Sequence, residues 1–105
     1  MRPKISRFNI AGSVLAGGQG QRMGGVDKGL LEIAGKPMVA WAIERLAPQV
    51  AQLMINANRS REQYLQFAGD VVADEAPKDG EAFAGPLAGF LASMRATEAS
   101  YLLTL

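Results

Sequence analysis

Eight of the chain's twelve glycines fall between Gly12 and Gly35, and most of them stand directly behind a short apolar run. That run, Ser13-Val14-Leu15-Ala16, continues Phe8-Asn9-Ile10-Ala11. A continuously apolar stretch of this length reads as a strand buried on both faces, as strands of parallel sheets are. A strand running straight into a glycine-rich loop narrows the choice of folds. The loop belongs at the carboxyl end of a sheet strand, where backbone approaches a ligand with no Cβ in the way.

The rest of the chain alternates in the same manner. Leu30, Leu31 and Ile33 flank Glu32, Gly35 makes a turn, and Pro37 is suited to the first residue of a helix because its missing N–H costs nothing there. Val39, Ala42, Ile43 and Leu46 then recur at helical spacing until Pro48 ends the pattern. Leu53-Met54-Ile55 is a second strand, Arg61 to Phe67 a short helix closed by Gly69, and Val71-Val72-Ala73 a third strand. Ala76 to Ala84 reads as an exposed loop. Pro86 opens another helix with Leu87, Phe90, Leu91 and Met94 on one face, and Tyr101 to Leu105 is a fourth strand. This rhythm predicts an α/β fold, a Rossmann-like, mostly parallel sheet with flanking helices. The loops after Ala16, Ile55, Ala73 and the last strand should meet at one crevice. Trp41 and the Leu and Met positions are expected in the core.

Composition restricts the chemistry. At 105 residues the chain fits one small domain. A net charge of +1 argues against a nucleic acid or an acidic membrane as partner. With neither cysteine nor histidine, thiolate and imidazole chemistry are excluded, and carboxylates, Lys, Arg, amides and backbone groups remain. Such a set suits a hard, oxygen-ligated ion such as Mg²⁺. The apolar run after the basic residues of Met1 to Arg7 is broken by Gly12, Gly17 and Gly18, which does not fit a secretory signal. No window approaches the roughly 20 apolar residues of a membrane span. A cytoplasmic location is expected.

The loop itself runs Leu15-Ala16-Gly17-Gly18-Gln19-Gly20-Gln21-Arg22-Met23-Gly24-Gly25-Val26-Asp27-Lys28. Its backbone N–H groups could cradle an anion, with Arg22 and Lys28 adding full charges for a polyphosphate. The plainer alternative is a surface loop with both cations solvated. A Walker A motif is excluded, since no Gly-Lys-Ser/Thr occurs, and Met23 stands where a dinucleotide fingerprint needs its third glycine. The order Leu-Ala-Gly-Gly, Arg-Met-Gly, Asp-Lys-Gly-Leu-Leu and Gly-Lys-Pro resembles the sugar-nucleotide-type nucleotidyltransferases. In detail it is similar to the molybdenum cofactor guanylyltransferases, the MobA family. The similarity continues through Asn56-Ala57-Asn58-Arg59, Asp74 and Gly85-Pro86-Leu87-Ala88-Gly89, and so covers nearly all of the chain from Ser13 onward.

The resemblance implies a nucleotide-diphospho-sugar transferase-like fold and transfer of GMP from GTP to molybdopterin, with Mg²⁺ and release of pyrophosphate. Carried over residue by residue, it makes Leu15, Ala16, Gly17 and Gly18 nucleotide contacts at the end of the first strand. Lys28 becomes the lysine on the triphosphate, and Arg22 a second phosphate clamp. Asn56 becomes the nucleotide-binding asparagine, with Asn58 as the alternative, and Asp74 part of the GTP site through guanine or ribose. Asp27 is expected to orient Lys28 or cap a turn. The glycine-proline block should lead into a helix whose N-terminus faces the site.

The family's metal-binding aspartate follows the fourth strand, beyond Leu105. The expectation is therefore that residues 1–105 are the GTP-binding N-terminal part of a single domain, truncated after about the fourth strand, inactive alone and with exposed sheet edge. Lys78 to Glu81 form a longer insertion that should alter only a surface loop. By the resemblance, Leu-Ala-Gly-Gly, where the cytidine enzymes tend to have Leu-Ala-Ala-Gly, and Asp-Lys-Gly-Leu-Leu favour guanine. A molybdopterin cytidylyltransferase, a sugar-phosphate nucleotidyltransferase, or a non-catalytic GTP-binding fragment that contacts molybdoenzyme chaperones or other cofactor-biosynthesis proteins are the alternatives.

Overall fold

A computed structural model describes residues 6–16, 22–23, 26–74 and 86–105. Eight strands are formed among them: β1 (Ile10–Leu15), β2 (Arg22–Met23), β3 (Val26–Asp27), β4 (Glu32–Ile33), β5 (Lys36–Pro37), β6 (Gln52–Asn56), β7 (Asp70–Val72) and β8 (Tyr101–Thr104). The helices are α1 (Met38–Leu46), α2 (Arg61–Tyr64) and α3 (Pro86–Arg95). The main sheet has the order β7-β6-β1-β8 with every pair parallel. The alternation read from the sequence is thus an α/β fold with a four-stranded parallel sheet. The first strand starts at Ile10 rather than Ser13, because β8 and β6 give its earlier residues partners.

Alternation along β1 divides its side chains between two layers. One face meets α1, where Val14, Val39, Leu46, Val50, Ile55, Ala57, Tyr64 and Val71 make the principal core cluster. The other face meets α3, and there Ser13 and Ser93, both fully buried, share a hydrogen bond of 2.7 Å between their hydroxyls. Pro37 is the residue that caps α1, with the first helical residue at Met38, and Pro48 lies in a 3-10 turn (Ala47–Gln49) that follows the helix. Only Arg61–Tyr64 of the expected short helix is α-helical.

Two expectations about the core are corrected. Trp41 is 41% exposed, not interior. It lies against the β4–β5 hairpin, donates its indole N–H to the Ile33 carbonyl at 2.8 Å, and carries the Lys36 ammonium 3.9 Å above its ring. Such a ring serves as an amphipathic brace, apolar in body and polar at its tip. In α3, Leu87, Phe90 and Met94 are exposed, while Gly89, Ala92 and Ser93 face the sheet. The helix approaches β1 and β6 through small residues, and that close approach turns its bulky side chains outward.

Candidate functional site

Register places the carboxyl ends of the central strands side by side. Leu15 pairs with Asn56, and Asn56 with Val72. The Ala16 N–H donates to the Asn56 carbonyl at 2.8 Å, and the Leu15 N–H to the Leu105 carbonyl at 2.8 Å. Both amides are consumed by the sheet and have no proton left to donate to an anion. Gly17 and Gly18 lie outside the described residues, as does the side chain of Arg22. The backbone of Arg22 pairs antiparallel with Asp27.

Asn56 and Asp74 meet at the strand ends, in a cluster that also takes in Asn58. The Asn56 side chain is buried and donates from Nδ2 to the Val72 carbonyl at 3.0 Å and to Asp74 Oδ1 at 2.9 Å. The exposed Asn58 donates to Asp74 Oδ2 at 3.0 Å and accepts from the Asp74 N–H at 2.7 Å. The Asp74 carboxylate is thereby held by one amide on each oxygen and fixed at the strand ends. Both Asn56 protons are spent on protein. Its remaining oxygen lies against α3, where a Cβ on Gly89 would sit 2.3 Å from it. The helix comes this close to Asn56 only because residue 89 has no side chain. Of the glycine-proline block, Gly85 and the Pro86 side chain lie outside the described residues.

Lys28 is exposed and opens a 3-10 turn (Lys28–Leu30) capped by Asp27, whose Oδ1 accepts from the Gly29 N–H at 3.2 Å. The turn-capping role expected of Asp27 is present. Nothing in the residue spacing pointed to its second partner, Tyr64. Tyr64, fully buried, donates its hydroxyl to the same Oδ1 at 2.8 Å from 37 residues away. Burial, the hydrogen bond and the Asp27 charge hold the Tyr64 phenol above the usual tyrosine range, with Arg59 pulling the other way. A lone aromatic in a short helix carries no local signal for such a contact. Only the tertiary fold brings α2 to the loop.

Among the described residues no group of three or more Asp, Glu, His or Cys side chains is placed to hold a metal ion, and no helix is long and apolar enough to cross a membrane.

Comparison with known proteins gives one consistent result. Residues 12–105 match the family described as the MobA-like NTP transferase domain. The chain is 50% identical over 100 residues to a molybdenum cofactor guanylyltransferase of Polynucleobacter asymbioticus, covering 95% of this chain and 48% of that protein. It is 51% identical over 100 residues to one of Ralstonia pickettii, covering 95% and 47%. With one of Shewanella putrefaciens the identity is 47% over 97 residues, covering 92% and 48%. The chain thus spans about half the length of the curated relatives it matches. A solved structure of CMP:2-keto-3-deoxy-manno-octonic acid synthetase complexed with CTP superposes with a TM-score of 0.57 at 27% identity, covering 90% of this chain and 38% of that one.

Proposed function

Because the chain belongs to the family of MobA-like NTP transferase domains, we propose that it is the nucleotide-binding part of an enzyme that transfers GMP from GTP to molybdopterin in making the molybdenum cofactor. The observation that carries this reading is the line of strand ends formed by Leu15, Ala16, Asn56 and Asp74, with the Asp74 carboxylate clamped by two amides. Parallel α/β sheets bind ligands there. A fixed carboxylate is a ready acceptor for the N–H donors of guanine or the hydroxyls of ribose. Asn56 contributes by holding that carboxylate in place.

The triphosphate lies towards the glycine loop, with Gly17 and Gly18 allowing close approach and Lys28 and Arg22 supplying positive charge. An oxygen of the molybdopterin phosphate attacks the α-phosphorus, the new P–O bond forms, the bond to the β-phosphate breaks, and pyrophosphate leaves. Lys28 offsets the charge that builds up on the departing oxygens. Mg²⁺, when bound, supplies further charge neutralisation on the phosphates, and it is commonly held by only one or two carboxylates plus phosphate oxygens. The reaction is read as cytoplasmic.

A cytidine nucleotide is the second reading, favoured by the likeness to a synthetase solved with CTP. Calorimetric titration with GTP, CTP and ATP, each with Mg²⁺, separates the two. GTP should bind in preference, and Lys28→Ala should weaken it by about 1.5–3 kcal/mol, the usual worth of a hydrogen bond to a charged group. Tighter binding of CTP overturns the guanine assignment. GTP binding that ignores Lys28→Ala overturns the role of that lysine.

A further inference from the structure

Lys28 is exposed, so its direction is set by the backbone on either side of it. Both flanking residues touch Tyr64. Asp27 takes the Tyr64 hydroxyl on Oδ1 at 2.8 Å, and a Cβ on Gly29 would stand 2.3 Å from that hydroxyl oxygen. Any side chain at position 29 would therefore evict the hydroxyl. Asp27 is only 8% exposed, and its Oδ2 has no partner among the described residues. A buried carboxylate is costly unless hydrogen-bonded. Among the described residues, its hydrogen-bond donors are Tyr64 and the Gly29 amide, both on Oδ1.

The far side of the contact is anchored in the core. Tyr64 is wholly buried within the principal core cluster. Arg61, in the same helix, donates to the Val71 carbonyl at 2.7 Å and ties α2 to β7. The Lys28 turn is closed within itself by a 3.2 Å bond from the Leu31 N–H to the Lys28 carbonyl, and beyond Lys28 it is held by Leu30 packed against the core. Packing alone would be satisfied by phenylalanine at position 64. The hydroxyl has one described partner, and that partner adjoins the exposed lysine.

We propose that Tyr64 is a positioning residue for Lys28: its hydroxyl, held by the core, fixes the Asp27 carboxylate and with it the turn that presents the lysine to the nucleotide phosphates. The proposal rests on the reading of Lys28 as a phosphate contact. Its structural half, the fixing of the turn, can be tested without any nucleotide.

The test is a double-mutant cycle in Mg²⁺–GTP affinity, using the chain itself, Tyr64→Phe, Lys28→Ala and the double variant, each first shown to melt cooperatively. With Lys28 present, Tyr64→Phe should raise Kd about tenfold, or 1.4 kcal/mol. In the Lys28→Ala background it should cost under about twofold, since residues acting through one another are not additive. Equal losses in both backgrounds make Tyr64 a general structural residue and overturn the proposal.

Amide hydrogen exchange in the nucleotide-free chain supplies the second readout. Tyr64→Phe should speed exchange at Gly29 about tenfold while leaving Ile55 in the sheet unchanged. Unchanged exchange at Gly29 overturns the proposal whatever the affinities do. If Lys28→Ala alone leaves Kd unaltered while Gly29 exchange rises as expected, the phosphate reading of Lys28 has failed and the Tyr64 anchor stands. Should Tyr64→Phe not fold, Gly29→Ala displaces the hydroxyl without emptying the core and should give the same Lys28-dependent loss. A loss independent of Lys28 counts against the anchor.

Discussion

At the scale of single residues, the molecule spends its buried polar groups on holding other polar groups. Asn56, fully committed to Val72 and Asp74, presents a carboxylate and offers none of its own protons to a ligand. Tyr64 does the same for Asp27, and its burial yields a stability signature at high pH. The folded phenol keeps its proton above the usual range, while the unfolded one loses it near about pH 10. Above that point the unfolded chain binds fewer protons than the folded one, so unfolding becomes easier as pH rises, by up to about 1.4 kcal/mol per pH unit. Below it the Tyr64 contribution is intact. The stability gap between the chain and Tyr64→Phe, from urea unfolding, should therefore shrink between about pH 10 and pH 11. Lysine titration is common to both proteins and cancels. A gap that stays constant over that interval would show that Tyr64 ionises no differently in the folded state. Lys28, Asn56 and Asp74 were legible as candidates because they fall in ordered sequence blocks. Tyr64 was not, because its partner lies in a different element and spacing along the chain encodes nothing about it.

At the scale of elements, hydrophobic periodicity was enough to find the strands β1, β6, β7 and β8 and the helices α1 and α3, and their alternation was enough for a parallel sheet. It could not orient α3. Its bulky apolar residues Leu87, Phe90, Leu91 and Met94 fall on one face, which by periodicity alone reads as the inner one, yet Leu87, Phe90 and Met94 are exposed. What decides its orientation is size: Gly89, Ala92 and Ser93 let its backbone come close to β1 and β6, and the Ser13–Ser93 hydrogen bond fastens the contact. Two hydroxyls in a dry interface look unremarkable in a sequence, yet each needs the other. Ser13→Ala or Ser93→Ala alone strands one hydroxyl and should destabilise the chain by about 1–3 kcal/mol in urea unfolding. The double variant Ser13→Ala/Ser93→Ala should cost less than the sum of the two, since no unpaired group is left. Strict additivity would show that the hydroxyls do not depend on each other.

At the scale of the whole molecule, the sheet is covered unevenly. The α1 face is packed by the principal core cluster, whereas Leu87 (62% exposed), Phe90 and Met94 of α3 and Tyr101 and Leu103 of β8 present apolar surface. Sequence reading assigned the Leu and Met positions to the core, which holds for Leu46 and Met54 but not for Leu87 and Met94. This chain spans about half the length of its relatives. Apolar surface that is open in the folded chain has a different mutational signature from a core. Leu87→Gln and Met94→Gln should each change stability by no more than about 0.5 kcal/mol, as surface substitutions do. Both should also lower the fluorescence of an apolar dye such as ANS bound to the native chain, because they remove its binding surface. Were the two side chains interior, truncating their packing would cost about 2–5 kcal/mol, and the loosened fold would bind more dye. Stability and dye signal thus move oppositely in the two cases, and measuring both on the same two variants decides which face of α3 the sheet has taken.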